Sequence, residues 1–230
     1  MNETEKTNRI RSQQFFQTYL NGTVIDIGCG SDPVVAHAEP YDLALGDKDA
    51  GQILLYRNGG TYDCVYSSHC LEHMGNVPEA LRQWWALVKP GGYMILVVPD
   101  EDLYEQGVWP SRFNSDHKAT FRLHNKPSWS PVSYHLNELV EGLGQTTVIS
   151  ADVQDYGYVY CFKTKGVVHP PANLLSKGAF FLSRFFKNKN TKTNKLLMLL
   201  DWLKQGYVDQ TLYGALAQIQ IVVQKNVSSK

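Results

Sequence analysis

Cysteine and net charge are what this chain has least of. Four cysteines, Cys29, Cys64, Cys70 and Cys161, are spread over 230 residues, and no two form a Cys-x-x-Cys pair. No disulfide framework is indicated, and a reducing compartment is the default. The 22 basic and 22 acidic side chains cancel to a net charge of zero, which argues against a globally basic nucleic-acid binder. No apolar run approaches the ~20 residues of a membrane span. The first residues, Met1 to Arg11, are polar and charged, unlike a secretory signal. A cytoplasmic location is expected.

A third glycine is missing as well. Val24-Ile25-Asp26-Ile27 reads as a short strand buried on both faces, and it breaks into Gly28-Cys29-Gly30. Glycine permits a sharp turn and lets backbone lie against a ligand. Asp26 needs a partner in such a place. A dinucleotide fingerprint requires another glycine at position 33, where the chain has Pro33. A nicotinamide enzyme is therefore disfavoured, while a nucleoside ligand without a pyrophosphate stays open.

The length and the 43% hydrophobic content suit one sizeable core. We expect a single domain over residues 1–230, with an N-terminal helix in 1–22 and a helical insertion at 170–214. Ser31-Asp32-Pro33 is a helix-start pattern. Tyr41 to Gly46 reads as the second strand, and Asp47 lies near the distance at which an acid meets ribose hydroxyls; Asp42 fits that spacing less well. Tyr62 to Ser67 is the next strand. Asn76 caps a helix whose Leu81, Trp84, Trp85 and Val88 recur as a core face. Tyr93 to Val98 is the clearest buried strand. Leu136 to Gly144 reads as a helix. Thr146–Val153, Tyr158–Phe162 and Leu216–Gln224 are β-rich.

Three segments carry titratable chemistry. His69-x-x-Glu72-His73 matches an inverted zinc-protease pattern, which needs one helix bearing both histidines. The simpler reading is a strand-to-helix corner beside a ligand, with no metal. Asp116 next to His117, in a long loop from Glu101 to Pro131, offers an oriented general base. Lys177 to Lys195 is basic with interleaved phenylalanines, a pattern suited to an anionic membrane surface or an anionic substrate.

Taken in order, these pieces resemble the class I S-adenosylmethionine-dependent methyltransferases. Asp26-Ile27-Gly28-Cys29-Gly30 is similar to their first motif, and Gly46-Asp47 to the acid after their second strand. Tyr62 to His73 is similar to the strand-four segment of small methyltransferase domains, and Leu87-Val88-Lys89-Pro90-Gly91-Gly92-Tyr93 to the passage into strand five. The resemblance covers Thr23 to Pro99 best. It implies an α/β fold with a doubly wound, mostly parallel, seven-stranded sheet, an antiparallel last strand and the C-terminal helical insertion. It implies S-adenosyl-L-methionine as cofactor, approached by Asp26, Gly28, Cys29 and Gly30. Asp47 then takes the ribose, Asp49-Ala50 the adenine, and Ser67 and His69 lie near the cofactor or the acceptor pocket. The short interval between the second and fourth strands departs from the pattern.

The implied reaction moves a methyl group to an acceptor oxygen or nitrogen; the polar loop from Trp109 to His117 fits a sugar or another polar metabolite as that acceptor, and the basic insertion a phosphate-bearing or lipid-linked one. His117 and His69 are the catalytic candidates. The expected partners are that acceptor and, through residues 177–195, a membrane surface; nucleic acid is not favoured. Two alternatives stay open: a non-catalytic cofactor-binding subunit, and a zinc hydrolase built on His69, Glu72 and His73.

Overall fold

The computed structural model describes residues 3–124, 127–167 and 194–227. Its centre is a six-stranded sheet. The strands are β1 (Val24–Ile27), β2 (Glu39–Tyr41), β3 (Tyr62–Ser68), β4 (Val88–Pro99), β7 (Thr146–Gln154) and β8 (Gln218–Lys225). Two short strands, β5 (Thr120–Arg122) and β6 (Ser133–His135), pair separately. The sheet order is β2-β1-β3-β4-β8-β7. The pairs β2–β1, β1–β3 and β3–β4 are parallel, and β8 is antiparallel to both β4 and β7.

The doubly wound class with an antiparallel last strand therefore holds, with six strands rather than seven among the described residues. The missing strand would lie between β2 and β3. That interval instead holds two 3-10 stretches, Leu43–Leu45 and Ala50–Leu55. The order reverses between β1 and β3, so their carboxyl ends open a crevice at the topological switch point.

Both faces of the sheet are covered, as parallel strands require. Ile25, Ile27, Val65, Met94 and Leu96 face one cluster, which includes Leu81 and Trp84 of helix α3 (Val77–Leu87). Val24, Cys64, Tyr66, Ile95 and Val97 face the other, against Phe15 and Phe16 of α2 (Gln13–Tyr19). Asn76 caps α3 by accepting from Glu79 N, as its sequence indicates, and Pro78 sits in the first turn. The indole of Trp84 donates to the Ala50 carbonyl at 2.9 Å, fixing the short 50–55 segment against the helix.

Several boundaries differ from the expectation. The N-terminal helix is two helices, α1 (Glu3–Asn8) and α2, because Ser12 caps a new start through Phe15 N. Residues 31–38 form turns rather than a helix. The second strand ends at Tyr41, since Asp42 caps the 3-10 turn that follows. Tyr160–Phe162 is a 3-10 turn, not a strand. The Leu136 helix is α4 (Leu136–Glu141). Of the expected insertion, α5 (Asn194–Gln205) is seen, whereas most of the basic Lys177–Lys195 stretch lies outside the described residues. Among the described residues no helix is long and apolar enough to cross a membrane.

Candidate active site

The loop after β1 is shaped by two glycines. Gly28 has φ +80°, and its N–H donates to the Tyr41 carbonyl at 2.8 Å. A β-carbon there would lie 2.4 Å from the Cβ of Cys70. Gly30 has φ +58°, and among the described residues a β-carbon on it would meet nothing within 4 Å. The space above Gly30 is open, as backbone that lies against a ligand requires.

Asp42, the first residue after β2, closes this loop. Its Oδ2 accepts from Gly30 N at 2.8 Å and its Oδ1 from Ala44 N at 2.7 Å. Asp47 stands one step back. Its Oδ2 accepts from Asp42 N at 2.9 Å, and Arg57 lies 3.9 Å from its Oδ1. Sequence spacing favours Asp47 over Asp42 for the ribose; the early end of β2 puts Asp42 against the glycine loop and Asp47 one step back.

A cavity of about 220 Å³ opens here, lined among others by Gly28, Asp42, Leu43, Asp49, Cys70 and His73. It is smaller than the ~300–1,000 Å³ of a typical small-molecule site, a size suited to the nucleoside end of a cofactor. Leu43 is 69% exposed at its rim, an apolar surface with little else to cover it. Larger cavities of about 440 and 420 Å³ lie elsewhere, and neither includes the glycine loop.

The remaining sequence-derived residues are not all at the cavity. Asp49 lines it, with its Oδ1 also accepting from Gly51 N. Asp26 is 1% exposed and turned away, accepting from Val34 N at 2.6 Å. Burial pushes its carboxyl up to about 7, although the Val34 bond and Arg11 act the other way. Cys29 points back at the Gly30 carbonyl, and burial raises its thiol to about 11. Ser67 is buried and donates to the Ile27 carbonyl at 2.9 Å.

Next to the cavity is a group of histidines and carboxylates. Leu71–His73 is a single 3-10 turn, not the long helix that a zinc-protease pattern needs. The Glu72 carbonyl accepts from Lys118 N at 2.7 Å, which brings the 117–119 segment against this corner. The expected Asp116–His117 pair does not form. His117 Nδ1 lies 2.7 Å from Glu105 Oε1, while Asp116 Oδ2 takes His73 Nδ1 at 2.9 Å. Adjacent residues in an irregular loop project in different directions. Glu105 comes from the turn Glu101–Glu105, capped by Asp100, and had no periodic signal to mark it.

The rings of His73 and His117 meet edge to face, with centroids 5.0 Å apart. His69 has φ +53°, rare for a residue with a side chain, and its Nδ1 is 3.5 Å from Glu72 Oε1. Burial opposes charge on His69, but Glu72 and Glu3 outweigh it and raise its pKa above the usual value. Burial likewise opposes charge on Glu72, and His69, His117 and His73 hold its carboxyl below the usual range.

Comparison with curated protein sequences finds no match. Solved structures do match in fold. One is a SAM-dependent methyltransferase from Archaeoglobus fulgidus, 15% identical with TM-score 0.52, covering 97% of this chain and 94% of its own. Another is phosphoethanolamine N-methyltransferase 2 of Haemonchus contortus, in complex with phosphomonomethylethanolamine and S-adenosylhomocysteine. It is 12% identical with TM-score 0.53, and the match covers 99% of this chain and 53% of that one. A third, a SAM-dependent methyltransferase from Thermotoga maritima, is 14% identical with TM-score 0.51, covering 97% and 88%. The family model described as a methyltransferase domain matches residues 5–148, more than half of the chain. With the switch-point crevice and the glycine loop already in place, the chain belongs to the methyltransferase domain family, as a class I S-adenosylmethionine-dependent methyltransferase.

Proposed function

We propose that this methyltransferase acts on an oxygen or nitrogen of a polar small molecule, with a sugar or lipid-linked glycan as the acceptor class. One observation carries the reading: buried His117, held on Glu105, lies one ring away from the cavity that Gly28 and Asp42 line. His69, Glu72, His73, Glu105, Asp116 and His117 gather on that side. So many titratable groups suit an acceptor with hydroxyls or amines, and they offer an apolar acceptor nothing.

When bound, the cofactor supplies an electrophilic methyl group. Gly28 and Gly30 leave backbone for its methionine end to lie against. In this reading Asp42 takes the ribose role that spacing gave to Asp47, and Asp47 holds the Asp42 N–H. Leu43 and the Asp49-Ala50 backbone wall the adenine. On the acceptor side, Glu105 accepts a hydrogen bond from His117 Nδ1–H and fixes that tautomer of the ring. Its Nε2 then keeps a lone pair that can receive a proton from an acceptor hydroxyl. His69 is the second candidate for that role.

The test has two stages. Calorimetric titration with S-adenosylhomocysteine is expected to show one saturable site, weakened at least tenfold by Asp42→Ala. A screen of nucleotide sugars, phosphosugars and polyprenyl-linked glycans, read by release of S-adenosylhomocysteine, then tests the acceptor. Turnover only on another chemical class overturns the sugar reading. Binding without turnover on any class supports a non-catalytic subunit instead.

A further inference from the structure

Glu72 presents an electrostatic problem that the methyl-transfer reading leaves unsolved. Its side chain is 1% exposed, and among the described residues neither carboxylate oxygen accepts a hydrogen bond. The ring nitrogens turned toward Oε1 are His69 Nδ1 at 3.5 Å and His117 Nε2 at 4.0 Å. Both rings are already engaged through their other nitrogen. His69 Nε2 lies 3.0 Å from Gln218 Oε1, and His117 Nδ1 2.7 Å from Glu105 Oε1. The Gln218 amide is oriented by its Nε2, which donates to Thr7 Oγ1 and Gln154 Oε1.

These outer partners are oxygens that accept. A neutral imidazole has a single N–H donor. In neutral rings it is spent on Gln218 and Glu105, so the carboxylate is balanced either by a proton on His69, which Glu72 and Glu3 favour, or by a bound cation. A buried charge in such surroundings is costly unless positive charge sits among them.

We propose that Glu72, His73 and His117 bind one divalent transition-metal ion of the zinc, manganese or ferrous class. One ligand atom from each lies within 4.8 Å of the other two. Ligands bound at about 2.1 Å come within roughly 3.4 Å of each other in a tetrahedral site, so a closing of up to about 1.4 Å completes the set. Two imidazoles and a carboxylate suit these metals and leave coordination positions open. Outer-shell support is present too. Metal-ligating histidines characteristically donate their second nitrogen to a carboxylate, and here Glu105 serves His117 and Asp116 serves His73.

This is not the zinc site suggested by the local sequence. His69 is outside the ligand set, and the third ligand comes from the 117 loop. Because His73 lines the nucleoside-sized cavity, the ion would stand at its edge. Its role there rests on the acceptor-side reading above: a bound cation lowers the pKa of an acceptor hydroxyl. His117 Nε2 is then a ligand and gives up the proton-accepting role, which passes to His69 beside Glu72 once the metal takes the Glu72 carboxylate.

Metal binding is tested without turnover. Chelator-stripped protein is titrated with Co²⁺ by visible absorption and with Zn²⁺ by calorimetry, and bound metal is counted by mass spectrometry. One ion per chain is expected. Affinity is expected to fall at least tenfold in Glu72→Gln and in His73→Ala, with His124→Ala unchanged. If Glu72→Gln does not fold, His73→Ala at the partly exposed ligand decides. No stoichiometric metal, or binding that the ligand variants leave unchanged, overturns the proposal and leaves the cluster charged by protons alone. S-adenosylhomocysteine titration of the same stripped protein keeps the cofactor reading separate, since either result can fail while the other stands.

Discussion

His117 Nδ1 and Glu105 Oε1 lie 2.7 Å apart, with side chains only 3% and 1% exposed. The carboxylate fixes which ring nitrogen carries the proton, and thereby which one faces Glu72. Glu105→Gln removes that preference, because an amide can donate as well as accept. Turnover on the acceptor is expected to fall about 10- to 100-fold, the range for loss of a supporting partner. Affinity for S-adenosylhomocysteine is expected to stay within twofold. A matching loss in both would mean that Glu105 supports the fold rather than the histidine.

Asp42 and Asp47 make a second discriminating pair. The Asp42 carboxylate touches the glycine loop directly, whereas Asp47 touches the Asp42 backbone. Asp42→Ala is expected to weaken S-adenosylhomocysteine binding at least tenfold and Asp47→Ala only about threefold, as charge-assisted hydrogen bonds outweigh indirect support. Calorimetry on both variants decides, and the reverse ranking would return the ribose to Asp47.

The two glycines of the loop are expected to fail differently. Gly28→Ala drives a methyl group into Cys70 in a left-handed backbone conformation. Overpacking and that conformation together cost about 3 kcal/mol of stability. Gly30→Ala meets no atom of the described residues within 4 Å, so only the conformational cost of about 1 kcal/mol remains. Its methyl group occupies the open space instead, and cofactor affinity is expected to drop while the fold persists. Denaturant unfolding beside calorimetry separates the two.

How much of this was legible in the sequence depends on where each signal comes from. Strand β1, strand β3, the Asn76 cap and the Trp84 face follow from local periodicity and capping, so the core of the fold could be read directly. Gly28 was legible as a turn, but its second constraint, the Cys70 side chain, comes from a distant segment. The second strand was misplaced because Leu43 and Leu45 look like strand residues while Asp42 begins a 3-10 turn. The Glu105–His117 and Asp116–His73 pairs arise from an irregular loop folding over the Glu72 corner. Neither spacing nor periodicity encodes such contacts.

Asp26 gives a pH prediction. Burial raises its carboxyl to about 7; the Val34 N–H and Arg11 oppose the shift, and Asp32 and Asp42 add to it. In the unfolded chain an aspartate titrates near ~3.9. Between those values the folded protein holds a proton that the unfolded chain has released. Stability from this group is therefore greatest at low pH and falls as pH rises through the window, by at most ~1.4 kcal/mol per unit. Asp26→Asn keeps an oxygen for Val34 N–H and cannot ionise. Its stability relative to the parent protein is expected to rise from pH 4 to about 7 and level off above. Unfolding in urea at pH 4.5, 6 and 7.5 measures that difference. A constant offset would mean that Asp26 is ionised throughout, with Arg11 neutralising it beneath the glycine loop.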